Sequence, residues 1–94
     1  MELGNKGHML LYSTGACHLC EQASALLDRV LLDIPGAHYS TVDISDSDTL
    51  FDRYGWLIPV VRFADGSELN WPFDETALRQ RLRALQVPPE PHPE

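Results

Sequence analysis

Ninety-four residues with 44% hydrophobic and 9% aromatic content are enough for one modest core, which excludes a two-domain chain and a disordered body. Fourteen acidic residues against seven Lys plus Arg leave a formal charge of -7, which repels polyanions and excludes nucleic acid as a natural partner. The apolar runs are only a few residues long, so no membrane span or signal peptide is expected, and the chain reads as cytoplasmic with no membrane partner.

The first predicted element is "HMLLYST", His8 to Thr14, a short apolar run without helical period between Gly7 and Gly15, which suits a buried strand. From Cys17 the pattern changes. Leu19, Ala23, Leu26, Leu27, Val30 and Leu31 recur at spacings of three and four, the stripe of an amphipathic helix that Pro35-Gly36 stops. In "AHYSTVDI" the residues Tyr39, Thr41 and Val42 predict a second strand, ended by the Asp- and Ser-rich "DISDSD". Asp46 or Ser47 is placed to cap a helix of about two turns, with Leu50, Phe51 and Tyr54 as its apolar face and Gly55 at its end.

"LIPVVRFADGSELNW" carries Asp65-Gly66 between two apolar runs, the sequence of a two-residue type I′ hairpin joining antiparallel strands three and four. After "WPF", Asp74 caps a last helix bearing Leu78, Leu82 and Leu85, closed at Val87-Pro88. The domain is therefore expected over residues 1–86, and the Pro/Glu-rich residues 87–94, with "PPEPHPE", as an extended, disordered tail. A β-α-β start makes the first two strands parallel, and the hairpin adds an antiparallel edge. The fold class is α/β, a four-stranded mixed sheet flanked by helices.

Chemistry concentrates in "STGACHLCEQ", Ser13 to Gln22, which holds the only two cysteines. In a reducing compartment a structural disulfide is disfavoured. A C-x-x-C pair there reads as a redox centre, as half of a metal site, or as two small buried residues. At the first turn of a helix the Cys17 sulfur faces free N–H groups and the positive end of the macrodipole, which favours thiolate. Cys20 falls in line with Ala23, Leu27 and Leu31 and should be the less exposed sulfur. Cys17 would then attack a target disulfide and Cys20 would resolve the mixed disulfide. Lowering a thiol from a pKa of about 8.5 to about 6 needs roughly 3.4 kcal/mol of thiolate stabilisation, of which the dipole supplies about 1. Hydrogen bonds and His18⁺ would add to it, and Glu21 opposes them. A metal reading would use Cys17, Cys20 and His18, but no second C-x-x-C or H-x-x-x-H supplies four ligands, so no metal is expected.

"LLYSTGACHLCEQASALL", "VDISDSDTLFDRYGWLIPVVRF" and the hairpin together resemble the glutaredoxin-like proteins of the thioredoxin superfamily, especially a small bacterial group bearing C-H-L-C, over most of residues 8–85. The resemblance implies a thioredoxin fold, β-α-β-α-β-β-α, with Cys17 as nucleophile and Cys20 as resolving thiol. It implies a cis Pro59 beside the cysteines that contacts substrate, and an Ile58 backbone that pairs with an extended peptide. The implied activity is thiol-disulfide oxidoreduction on a protein disulfide or mixed disulfide, with no bound cofactor, a cellular thiol as reductant and a monomeric chain. Trp56, as a rim for a protein partner, and His18 complete the expected substrate-binding set. The rival is a non-catalytic binding module of the same fold that uses Trp56 and the Pro59 edge and holds a metal or Fe–S cluster on Cys17 and Cys20.

The departures bear on the reductant. Glutaredoxins carry C-P-Y-C, a preceding lysine, T-V-P, and a Gly-Gly pair followed by an acidic residue. This chain has His18-Leu19 between its cysteines, no lysine after Lys6, Leu57-Ile58-Pro59, and "NWPFDE". Glutathione remains the candidate reductant but should serve poorly, with Asp74 and Arg53 as the only substitutes for the missing contacts. Trp71 and Phe73 read as lids under the last helix. His8, His38 and His92 read as scattered, none a credible ligand alone.

Overall fold

The computed structural model describes residues 7–86. The expected tail and the first six residues of the expected domain lie outside the described residues. The elements are β1 (His8–Ser13), α1 (His18–Leu31), β2 (His38–Asp43), a 3₁₀ turn (Ile44–Asp46), α2 (Asp48–Tyr54), β3 (Val60–Arg62), β4 (Glu68–Asn70) and α3 (Glu75–Gln86). The sheet order is β2-β1-β3-β4. β1 pairs with β2 in parallel, His8 opposite His38 through Ser13 opposite Asp43, and with β3 antiparallel, Tyr12 opposite Val60. β3 and β4 are antiparallel, with Val61 opposite Leu69. This is the expected order and mixed sheet.

Strand alternation divides the core in two. Met9 and Leu11 of β1 and Val61 of β3 meet Ala23, Leu27 and Val30 of α1 and Leu78 and Leu82 of α3 in one cluster. Tyr12 and Val60 point the other way, against Ile44 and Tyr54, with Leu10, Val42, Leu50 and Ile58 packed around them. Burying each fully covered Leu or Val stabilises the fold by roughly 1.5–3 kcal/mol of transfer free energy. On the second face Tyr12 and Tyr54 stack with ring centroids 4.4 Å apart, and the Tyr54 hydroxyl donates to the Glu68 carboxylate on β4. That pair joins α2 to the sheet.

Three local expectations are corrected. The β3–β4 connection is not a two-residue type I′ turn, which needs positive φ at both central residues. Among the described residues no non-glycine has positive φ, and Gly66 alone in this loop does, at 89°. The Gly66 N–H donates to the Phe63 carbonyl at 2.9 Å and the Phe63 N–H to the Ser67 carbonyl at 2.8 Å, which makes a three-residue loop of Ala64, Asp65 and Gly66. The Asp65 carboxylate accepts from the Ser67 N–H and hydroxyl at 2.9 and 2.6 Å, tying Asp65 to right-handed backbone. Second, Leu19 and Phe51 belong to the expected buried stripes but are 44% and 52% exposed. Each sits at the solvent-side edge of its helix, where an apolar residue extends the surface instead of filling the core. Third, His8 and His38, expected as scattered, stand side by side at the heads of β1 and β2.

The caps follow the sequence. Ser47, not Asp46, caps α2, with the Leu50 N–H donating to Ser47 Oγ at 3.3 Å, while Asp43 caps the 3₁₀ turn through the Ser45 N–H. Asp74 caps α3, accepting from the Ala77 N–H at 2.8 Å.

Candidate active site

β1 is an inner strand, and the chain leaves its C-terminal end through Thr14, Gly15 and Ala16 before α1 begins. Cys17 is the N-cap, one residue earlier than the expected first-turn position, with extended backbone at φ -115° and ψ 104°. Its sulfur takes the place of a Ser or Asp oxygen and accepts the Cys20 N–H at 3.1 Å. Its carbonyl accepts the Glu21 N–H at 3.2 Å and so starts the helical ladder. Cys17 and Cys20 are joined as a disulfide with Cα atoms 5.2 Å apart. Cys17 is half-buried, whereas Cys20 is only 5% exposed. When the pair is reduced, a Cys17 thiolate would receive an N–H bond and the N-terminal end of the helix dipole, whereas Cys20 would carry its charge with little access to water.

This asymmetry predicts unequal alkylation. In the reduced protein, iodoacetamide is expected to modify Cys17 about tenfold or more faster than Cys20, read by peptide mapping against time. Equal rates, or faster modification of Cys20, would remove the division of roles.

His18 points into solvent. Its side chain is 82% exposed, and its Nδ1 lies 3.8 Å from the Glu21 carboxylate, so any charge it carries is offset by Glu21. Leu19, the other residue between the cysteines, is also exposed.

The second strand of the site comes from the loop after α2. The Tyr54 carbonyl accepts N–H bonds from Leu57 and Ile58 at 2.8 and 3.1 Å, which folds Gly55–Ile58 into a compact turn. The Ile58-Pro59 peptide is cis, as the resemblance implied, and Pro59 is fully buried. Since Val60 lies opposite Tyr12, Pro59 falls alongside Ser13, at the end of the sheet from which the chain runs to Cys17. The Pro59 carbonyl accepts the Trp71 N–H at 3.2 Å, so the loop after β4 is tied to the same end.

Ile58 requires a correction. Its N–H is already held by the Tyr54 carbonyl, so strand-like pairing with a peptide through both backbone groups is not available. Among the described residues no backbone N–H reaches the Ile58 carbonyl, which leaves one acceptor on this edge. Trp56 is 98% exposed and Leu57 44% exposed, an apolar rim at this end of the sheet, and Leu19 is exposed in the first turn of α1.

A recess of about 160 Å³ opens on the other side of the cysteines, between the start of α1 and β2, lined by Ser13, Thr14, Cys17, Cys20, Ser24 and Thr41. The residues expected to replace glutathione contacts are placed otherwise. The Asp74 carboxylate is used by the α3 cap, and the Arg53 guanidinium lies over the Tyr54 ring, 5.2 Å from its centre. Trp71 and Phe73 meet edge to face at 5.1 Å, Phe73 buried as expected and Trp71 half-exposed. With Gln22, Leu26 and Arg29 they line a groove of about 430 Å³ along α1. Neither this groove nor the cis peptide at Trp71-Pro72 has a signal in the sequence, because both depend on how the loop after β4 docks on α1. Among the described residues no group of three or more His, Cys, Asp or Glu forms a metal-ligand set, and no helix is long and apolar enough to cross a membrane.

Comparison with known proteins agrees with this geometry. The family model described as glutaredoxin-like domain (DUF836) matches residues 8–83. Among solved structures, protein XcR50 from X. campestris, a Northeast Structural Genomics target, is 38% identical with a TM-score of 0.72, covering 81% of this chain and 96% of that one. Protein Ne2328 from Nitrosomonas europaea is 25% identical with a TM-score of 0.65, covering 79% and 88% of the two chains. A thioredoxin from Halobacterium salinarum, 21% identical with a TM-score of 0.69 over 89% and 78% of the chains, has the same fold. No curated protein matches the chain. With the thioredoxin fold in place and a cysteine pair at its helix N-terminus, the chain belongs to the glutaredoxin-like domain (DUF836) family.

Proposed function

We propose that this protein is a thiol-disulfide oxidoreductase that reduces protein disulfides or mixed disulfides in a reducing cytoplasm. The observation that carries the reading is the asymmetric pair at the start of α1: Cys17 half-buried and receiving the Cys20 N–H, Cys20 buried behind it, and the two already at bonding distance. In the forward step the Cys17 thiolate attacks one sulfur of the target disulfide. A Cys17–substrate bond forms, the target bond breaks, and one substrate thiolate leaves. Cys20, deprotonated, then attacks the Cys17 sulfur, releasing the second substrate thiolate and closing the Cys17–Cys20 disulfide. Two electrons have passed from the dithiol to the target, and a cellular thiol reductant returns the enzyme to the dithiol state.

Trp56 and Leu57 offer an apolar contact for the target chain, and the Ile58 carbonyl can accept one backbone N–H from it. His18, at the mouth of the site and exposed, would contact the same partner. Glutathione fits less well. It brings two carboxylates and an amine, whereas the lysine and the glycine pair are missing from the sequence, Asp74 is occupied as a cap, and the chain carries a charge of -7. Two absent charge-assisted contacts at about 1.5–3 kcal/mol each weaken transition-state binding by a factor on the order of 10² or more. Steady-state assays should therefore show efficient turnover on a protein disulfide and turnover about 10²-fold lower on a glutathionylated small substrate. Glutaredoxin-level rates on the latter would overturn the substrate assignment, and no turnover on either would overturn the activity.

A further inference from the structure

The sheet places two histidines together at the end remote from the cysteines. His8 and His38 are partners in the parallel β1–β2 register, and their ring centroids lie 4.7 Å apart with the planes tilted by 54°. They head strands of six residues, so they stand about 17–20 Å down the sheet from the Cys17 loop. We infer that His8 and His38 form a two-point site for a late first-row divalent transition metal: zinc, nickel or copper(II).

Geometry supports this first. Metal–nitrogen bonds of about 2.0–2.1 Å and an angle of about 90–110° between them place two ligating imidazole centres roughly 4.6–5.3 Å apart. The observed 4.7 Å falls in that interval. The hydrogen bonding supports it independently. His38 Nδ1 lies 3.3 Å from the Gly36 carbonyl, which can only accept, so the tautomer that makes this bond has its proton on Nδ1 and a free lone pair on Nε2. A backbone carbonyl that fixes the tautomer in this way is the usual outer partner of a metal-binding histidine. Gly36 holds this turn with φ 86°, a backbone conformation that L side chains rarely adopt. Imidazole is the ligand that late first-row ions prefer over magnesium or calcium. Among the described residues no third His, Cys, Asp or Glu joins the pair, so water fills the remaining positions and the ion exchanges readily.

The test uses the full chain with the Cys17–Cys20 disulfide closed, so that thiolates do not compete, titrated with Zn²⁺ in a non-coordinating buffer. Histidine ring resonances are followed by NMR, with His18 and His92 as internal controls. The His8 and His38 signals should shift together and saturate at one equivalent. His8→Asn or His38→Asn should each weaken binding by a factor on the order of 10², because one imidazole then loses the gain of a linked second contact. Excess Zn²⁺ should raise the thermal midpoint of the parent and leave that of either variant unchanged. Shifts centred on His18 or His92, or variants that bind as tightly as the parent, would overturn the site. Should a variant fail to fold, the ring shifts of the parent decide alone.

Discussion

Cys17→Ser is expected to lower turnover on a protein disulfide by a factor on the order of 10³ or more, because a serine hydroxyl is not ionised where the cysteine is and forms no mixed disulfide. Cys20→Ser should behave differently. Cys17 keeps its place at the N-cap and the N–H bond from residue 20, which comes from the backbone and survives the substitution. Attack therefore still occurs, but nothing resolves the product. The Cys20→Ser protein should accumulate as a covalent adduct with its target, detected as the summed mass under non-reducing conditions and released by added dithiol. Adduct formation by Cys17→Ser instead would reverse the roles, and its absence from both variants would remove the mechanism.

The second large effect is on stability. Tyr54 is 1% exposed, stacks on Tyr12, donates to Glu68 and supplies the carbonyl that folds the turn before Pro59. Tyr54→Ala should cost about 3–5 kcal/mol, the usual range for deleting a buried aromatic ring. A domain with a total stability of about 5–15 kcal/mol would be left marginal. Tyr54→Phe keeps the stack and loses only the bond to a half-buried carboxylate, about 1 kcal/mol. Urea unfolding at neutral pH measures both, and a loss below about 1 kcal/mol for the alanine variant would contradict this packing account.

Alkaline unfolding gives a further signature of the same residue. Burial first, and then the bond to Glu68, raises the Tyr54 hydroxyl pKa above its ordinary value of 10.0. A pKa that folding raises contributes stability fully present below the unfolded value and lost as pH rises through the folded one. The parent should therefore lose stability above pH 10 more steeply than Tyr54→Phe. Tyr39, raised mainly by burial and bonded to Ser24 and Asp28, gives a similar but separate contribution that both proteins share.

The parts of this fold that were legible in the sequence are those set by short-range patterns. The α1 stripe, the short apolar β1 run and the turn residues before α2 and α3 each encode their own element, and the C-x-x-C spacing places both sulfurs on one helical turn. Asp65-Gly66 correctly marked the hairpin but not its loop length, because the Ser67 bonds that hold Asp65 out of the left-handed region compete with the dipeptide preference. Leu19 and Phe51 show the limit of periodicity, which assigns a face to a residue but not whether the neighbouring element reaches far enough to cover it. What the sequence could not show was contact between distant segments. The Tyr54 carbonyl that takes the Ile58 N–H, the groove under Trp71, and the His8–His38 pair thirty positions apart exist only once the sheet has closed.

The two tryptophans make the site optically addressable. Trp56 projects almost wholly into water on the turn before Pro59, whereas Trp71 lies half-covered against Phe73. An indole in water emits at longer wavelength than one beside apolar groups and is open to collisional quenchers. A target chain that covers Trp56 should therefore blue-shift its fluorescence and shield it from acrylamide, while a ligand in the α1 groove should act on Trp71 instead. Two environments within one small domain thus supply separate intrinsic reporters, Trp56 for the rim before Pro59 and Trp71 for the α1 groove, without any attached dye.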